Sequence, residues 1–478
     1  AASRRPMASP PEAPRTAREV ERSVLERIRP DAALVARLEV VRAHLVAAGA
    51  RAAADAGLPL VRCLVAGSAA RGTFLRDRVD LDFFLLFDPS LPRPELERAG
   101  LALGAAILTA PARRYAEHPY LRGTFEGFTV DAVPGYAIDD PSHPLTAVDR
   151  TPFHQAFLAA RQTPAMVDEV RLTKQFLRGI GVYGSEARRG GFSGYLVELL
   201  VLRFGTLDAL LAEARAWRAP VRLLSRPGAA ARAPEEVALL LDDPVDAERN
   251  VASALTRQNL GRFVVAAGRY LDAPSAAAFD LPPGPSLARA AAEARIRERG
   301  SHVTGLRRPR PDVVDDILYP QMRKAEGAIG DEARRLGFAV LGTASAADAT
   351  SVLLLLEVER AERSPVERRK GPPPGLDRAG EFLAKWTDPA APVVQGPYVA
   401  ADGELAVEIR RTETALEPLL TRALERMPLG RDLRAGLDGA AGFQPLAQLP
   451  DGDPLAEALA ELLAKGLPGH VPAGRAPP

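Results

Sequence analysis

Two stretches carry residues arranged for chemistry. Gly67-Ser68 is followed by Arg71, and Asp80 and Asp82 stand at the head of an apolar run that ends at Phe87. Successive side chains on a strand project to opposite faces, so residues two apart share a face. Asp80 and Asp82 therefore present two carboxylates along one side of a sheet. Hard oxygen ligands on a rigid strand suit divalent cations, and two Mg²⁺ ions about 3.5–4 Å apart are a recurring device of phosphoryl transfer. Gly67-Ser68 closes a second apolar run, Val61 to Ala66, and opens a helix. Glycine lets the backbone approach a triphosphate, a helix N-terminus aims N–H groups at it, and Arg71 adds a forked cationic donor. Singly, a Gly-Ser turn or an Asp pair is commonplace. The order Gly-Ser, Arg, Asp-x-Asp on strand, helix and strand is far rarer.

The surrounding pattern supplies a scaffold. Thr16 to Ala50 has the apolar spacing of two amphipathic helices, split at Arg29-Pro30-Asp31, expected to cover one face of the sheet. Pro92 to Thr109 is a predicted helix and Phe128 to Pro134 a short strand with Asp131 opposite Phe128, Val130 and Ala132. A third carboxylate there could complete a metal site and accept a proton, although a lone Asp on a strand is more often merely solvated. Met166 to Gly179 reads as a helix with Lys174 on a partly apolar stripe; its ammonium either snorkels to solvent or meets a phosphate. Ser193 caps another helix, and Asp242 to Ala252 forms a turn in which an exposed Asp246 and Arg249 could pair. A linker signal, Pro282 to Pro285, precedes Arg289 to Arg310, where seven arginines face two glutamates, a local +5 that could track a phosphate backbone or clothe a solvated helix. Pro311 to Ala361 reads helix, strand, turn, strand, and Gln395 opens a hairpin.

Composition sets outer bounds. The 478 residues suffice for two to four domains, and 62 basic against 61 acidic residues confine any nucleic-acid contact to local patches. The single cysteine, Cys63, falls in an apolar strand; a disulfide framework is excluded, which fits a reducing cytoplasm. No apolar run reaches about 18 residues, so no membrane span is expected. Lysine occurs five times against 57 arginines, so Lys174 stands out as a residue retained against the bias. Residues 1–15 are proline-rich, without apolar periodicity, and are expected to be disordered.

The string from Gly67-Ser-Ala-Ala-Arg71 to Val-Asp80-Leu-Asp82 resembles the signature of the DNA polymerase β-like nucleotidyltransferases. It is most similar to the archaeal-type (class I) tRNA nucleotidyltransferases that add CCA to tRNA 3′ ends, and the likeness runs from about residue 20 to about residue 425. The resemblance implies an α+β multidomain protein: a mixed-sheet catalytic head (16–150), a helical neck (151–280), a small α+β body (281–345 and 415–478) and a tail insertion (346–414) that meets the tRNA elbow. It implies ATP and CTP as substrates, two Mg²⁺ ions on Asp80, Asp82 and Asp131, and a homodimer. In the stretches Val148 to His154 and Asp168 to Glu186 it assigns His154 to the incoming nucleotide, and Lys174 and Tyr183 to phosphates and sugar beside Gly67, Ser68 and Arg71. Asp246 and Arg249 fall beside the base, where their hydrogen-bond edges would tell C and A from G and U. One departure is Leu405, where the family carries a large aromatic. A poly(A)-type adder using one nucleotide, or a non-enzymatic RNA-binding relative, are the competing readings; the intact Asp80, Asp82 and Asp131 count against the second.

Overall fold

The computed structural model describes residues 16–115, 119–224, 237–282, 284–435 and 442–466. The segments 1–15 and 467–478, read as disordered and as a Pro/Gly-rich end, lie outside these residues. The chain forms two compact units that separate between Pro282 and Pro283.

The first unit opens with α1 (Ala17–Ile28) and α2 (Ala32–Asp55). Thr16 and Glu19 exchange hydrogen bonds in a capping box at the start of α1, and Asp31 caps α2 by accepting from the Leu34 N–H. Pro30 disfavours helix at Arg29, which separates the two. There follow β1 (Leu60–Ala66), α3 (Gly67–Arg71), β2 (Asp80–Phe87), α4 (Arg93–Ile107), β3 (Thr109–Tyr115), β4 (Pro119–Phe125) and β5 (Phe128–Tyr136). The strands make one mixed sheet in the order β1-β2-β5-β4-β3, with β2 and β5 parallel and the other pairs antiparallel.

Beyond its second carboxylate, β2 is sealed on both faces. Leu81, Phe83, Leu85 and Phe87 pack with Leu38, Leu45, Leu96 and Leu103 of α2 and α4, while Phe84 and Leu86 face Leu64, Val133 and Val148. Double-sided burial gives an unbroken apolar run rather than an alternating one. Asp80 and Asp82 share a face with Phe84 and Leu86 and stand where that second cover ends.

The remainder of this unit is helical: α5 (Thr151–Ala159), α6 (Pro164–Gly179), α7 (Gly194–Phe204), α8 (Leu207–Ala214), a short parallel pair β6 (Val221–Arg222) and β7 (Leu239–Leu240), and α9 (Arg257–Asp272). Its core is aromatic, with Phe176 edge-on to Phe263, Tyr270 and Phe279.

One expectation about this unit needs correction. Of the first two helices only α2 covers the sheet; α1 buries Val20 and Val24 in the neck core and is tied there by Arg27 to Asp280 and by Arg29 to Asp168. The strands β3 and β4 go unmarked by sequence pattern, because β3 is an edge strand whose Pro111, Arg113 and Arg114 carry no alternating apolar signal.

The second unit runs α10 (Arg289–Arg299), β8 (His302–Pro309), α11 (Asp315–Arg335), β9 (Val340–Ala347), β10 (Ser351–Val358), β11 (Val366–Lys370), α12 (Arg378–Trp386), β12 (Val393–Val399), β13 (Leu405–Arg410), α13 (Leu416–Ala423), α14 (Arg431–Arg434), β14 (Gln444–Pro445) and α15 (Asp453–Leu463). One antiparallel sheet has the order β14-β8-β10-β9 and a second β11-β13-β12. β10, expected in the tail insertion that began at residue 346, is an inner strand of the first sheet and is buried along its whole length. The hairpin read from Gln395 is β12 and β13, with Leu405 buried on it.

The arginine-rich stretch is not a free cationic track. Arg289 holds Asp451 and two backbone carbonyls, Arg295 donates to the Leu463 carbonyl, Arg299 grips the buried Glu357, and Arg310 pairs with Asp315. Most of that +5 is spent inside the fold.

The α1 attachment carries a testable consequence. Glu21 lies against Asp208 and Glu169, with the Tyr270 hydroxyl 3.5 Å away, and burial together with the Asp208 charge pushes its carboxyl up from 4.5 to about 8. A proton on Glu21 supplies a donor to the buried Asp208 Oδ1, which otherwise has no partner. Because the folded state then binds more protons than the unfolded one, stability falls as pH rises from about 4.5 to about 8. Glu21→Gln should melt higher than the parent at pH 8, with the advantage shrinking towards pH 5; calorimetry showing the same difference at both pH values counts against this account.

Candidate active site

β1 ends at Ala66, directly across from Asp82 on β2, and the chain turns at Gly67 with φ +70°. A Cβ built at Gly67 would come within 2.0 Å of Asp82 Oδ2, so only glycine lets this corner stand against the carboxylate. On the other side of β2, parallel register sets Asp131 beside Asp82, as it sets Thr129 beside Asp80. Asp80, Asp82 and Asp131 thus gather at one end of the sheet next to the Gly67 corner.

Their electrostatics show the crowding. Burial, reinforced by Asp131 and then Asp80, pushes the Asp82 carboxyl up to about 6. Asp131 is also raised by burial, against the opposing pull of Arg122. Arg122 Nε lies 3.0 Å from Asp131 Oδ1, and another guanidinium nitrogen lies 3.4 Å from Asp80; Arg78 pairs with the second Asp80 oxygen at 3.2 Å.

Among the described residues, no three His, Cys, Asp or Glu side chains are grouped closely enough to enclose a metal ion. The donor set nevertheless fits a hard divalent cation. All three side chains offer carboxylate oxygens, and Asp131 Oδ1 is sealed from solvent without a hydrogen bond.

Behind the corner lies a buried network that the sequence reading missed. Glu198 of α7, with no exposed surface on its side chain, accepts from Arg71 Nε at 2.8 Å and from the Thr73 hydroxyl at 2.6 Å. Arg71 also donates to Gln155 of α5. Lys174, expected to reach either solvent or a phosphate, is 3 % exposed; its Nζ donates to the Thr73 carbonyl and hydroxyl and stands 3.6 Å from Glu198. Burial pulls this ammonium below its ordinary pKa, although Glu198 opposes that shift. Tyr183 is nearby, its hydroxyl pushed up to about 12 by burial and by the Glu198 charge. The available signal was a lone glutamate inside the apolar run Leu196-Val197-Glu198-Leu199-Leu200.

The expected base-reading pair is not a pair. Asp246 is buried and binds Arg150 at 2.7 Å, whereas Arg249 binds Asp243 at 2.7 Å. Asp243 was not singled out, yet it also lies 2.8 Å from His154 Nε2 and accepts from the Tyr195 hydroxyl at 3.2 Å. The His154 and Tyr195 rings stack with centroids 4.1 Å apart. Burial alone would raise the Asp243 carboxyl, but the His154 hydrogen bond and charge hold it below the ordinary range. Gly67, Ser68, Arg71, Lys174 and Tyr183 are therefore grouped around the Glu198 network and the α3 corner, while His154 and Arg249 are grouped around Asp243.

Comparison with known proteins places these elements. A nucleotidyltransferase domain family matches residues 56–154, the second domain of tRNA nucleotidyltransferase matches 168–280, and the C-terminal domain of CCA-adding enzyme matches 299–440. The CCA-adding enzyme of Haloarcula marismortui is 39 % identical over 421 residues, 84 % of this chain and 89 % of that one. That of Halorubrum lacusprofundi is 37 % identical over 454 residues, 90 % of this chain and 97 % of that one. A solved structure of CdnC with ATP from E. coli MS115-1 superposes with a TM-score of 0.44 at 20 % identity, covering 55 % of this chain and 94 % of that one.

Breaking the buried network should be costly, because it strands charges away from water. Glu198→Ala leaves Arg71 and Lys174 unpaired and is expected to lose about 3–5 kcal/mol in denaturant unfolding. Gly67→Ala should also destabilise, through both the positive φ and the collision with Asp82. Unchanged unfolding midpoints for these two variants would refute the packing described.

Proposed function

The chain belongs to the archaeal-type CCA-adding tRNA nucleotidyltransferases, and from that membership we propose how its own residues carry out the reaction. The enzyme builds the terminal C, C and A of tRNA; CTP and ATP are its substrates. The tRNA 3′-hydroxyl attacks the α-phosphorus of the nucleotide, a new P–O bond forms, and the bond to pyrophosphate breaks.

Asp80, Asp82 and Asp131 are the residues that would hold divalent cations, in our reading two Mg²⁺ ions, which when bound would make the 3′-hydroxyl a better nucleophile and offset charge on the triphosphate. Support comes from one observation above the rest: Asp82 and Asp131 stand side by side on parallel strands, with the Gly67 backbone against Asp82. Gly67 and Ser68 offer the triphosphate a close backbone approach. Arg71 faces it with an orientation fixed by Glu198, so little reorganisation is needed during reaction. Lys174 contributes positive charge from behind the corner while donating to Thr73. Tyr183 stays neutral, its raised pKa keeping a hydroxyl proton to donate. His154 and Arg249, held by Asp243, face the sugar and base, and Asp246 supports that turn through Arg150.

The proposal extends to the rest of the molecule. The three-stranded sheet with α12 meets the tRNA elbow by shape and backbone contact rather than by base sequence, and the enzyme works as a cytoplasmic homodimer. Among the described residues, no helix is long and apolar enough to cross a membrane.

A transcript of tRNA lacking CCA, incubated with labelled CTP and ATP separately and together, tests the substrate assignment: two C and one A are expected in order, and repeated A would overturn it. Asp82→Asn should cost about a thousandfold in CTP incorporation, several kcal/mol of transition-state stabilisation. Retention of more than a few per cent would refute its role.

A further inference from the structure

We propose that Arg122 is the resident counter-cation of the carboxylate site, and that it must release Asp131 before a divalent cation can be held there, so that this one side chain sets the metal affinity. This rests on the reading of Asp80, Asp82 and Asp131 as metal ligands.

Antiparallel register sets Arg122 of β4 directly across from Asp131 of β5, so the guanidinium is delivered to the carboxylates by the sheet itself. Its side chain is 36 % exposed and bridges Asp131 and Asp80 at 3.0 and 3.4 Å. The closer contact is incomplete. Arg122 Nε and Asp131 Oδ1 are both sealed from solvent, and although 3.0 Å apart they are not aligned for a hydrogen bond. Charge attraction holds the pair without the directional bond that a guanidinium normally gives a carboxylate.

A doubly charged ion would take the same oxygen and satisfy it better, while repelling the guanidinium. The two cations are therefore alternatives at Asp131. Arg78 pairs with the second oxygen of Asp80 and not with Asp131, so the competition at Asp131 falls to Arg122. Part of the affinity a bare triad would have for metal is thus offset by the arginine that must move. Moderate affinity of this kind lets an ion arrive with the triphosphate, whose negative charge favours it, rather than occupy the empty enzyme permanently.

Mn²⁺ titration of the nucleotide-free protein, with free ion followed by electron paramagnetic resonance, reads this directly. Arg122→Met, which keeps an apolar stem but removes charge, is expected to bind Mn²⁺ about tenfold more tightly than the parent. Arg122→Lys, which keeps the charge, should remain near the parent. Asp82→Asn should bind at least about tenfold more weakly. Weakened binding by Asp82→Asn together with unchanged or weaker binding by Arg122→Met overturns the role of Arg122 and leaves the ligand assignment standing. Unaltered binding by Asp82→Asn removes the ligand assignment and this proposal with it. Arg122→Gln carries the same comparison should a thermal melt show Arg122→Met to be unfolded.

Discussion

The site is built on one buried carboxylate. Glu198 binds Arg71 and Thr73 and lies beside Lys174, so two cations and a hydroxyl from two separate stretches converge on a single anion. Removing such a group from water is expensive, and the expense is offset only while every partner is present. α3, a single turn too short to hold itself, is thereby fixed against α6 and α7. Fixing α3 fixes the Gly67 corner, and that in turn fixes the distance between the corner and Asp82.

Seen this way, the first unit separates charge along a short line. Asp80, Asp82 and Asp131 are an acidic pole at the strand ends, and Arg71 of α3 with Lys174 of α6 is a basic pole held by Glu198. Two cations against one glutamate leave a positive excess behind the corner, turned towards whatever anion approaches Gly67. The raised carboxyl of Asp82 marks the strain of the acidic pole, and Arg122 and Arg78 moderate it. Positive and negative charge are thus held apart by rigid backbone instead of cancelling each other.

Much of this was readable from residue order because the deciding information is local. The period-two spacing of Asp80 and Asp82, the glycine at a corner and the helix breaks at Pro30 and Gly179 are all set within a few residues. What escaped is set at long range. Glu198 meets Arg71 across 127 positions, and nothing near either residue announces the other. For Lys174, periodicity tells only which stripe it occupies, not that Thr73 covers its ammonium. Asp246 and Arg249, close in sequence, suggested mutual pairing, whereas tertiary packing gave each a different partner. The Arg289 to Arg310 cluster failed for the same reason: counting charge cannot reveal how many guanidinium groups are already engaged by carbonyls of distant loops.

Asp243 gathers donors from α5, α7 and its own turn: His154, Tyr195 and Arg249 share its two oxygens. A shared acceptor works as a mechanical linkage. None of the three can swing without loosening its hold on the carboxylate and slackening the other two, so they should tilt in concert, like spokes on a hub. One small rotation about this carboxylate therefore re-aims several groups together rather than leaving each to adjust on its own.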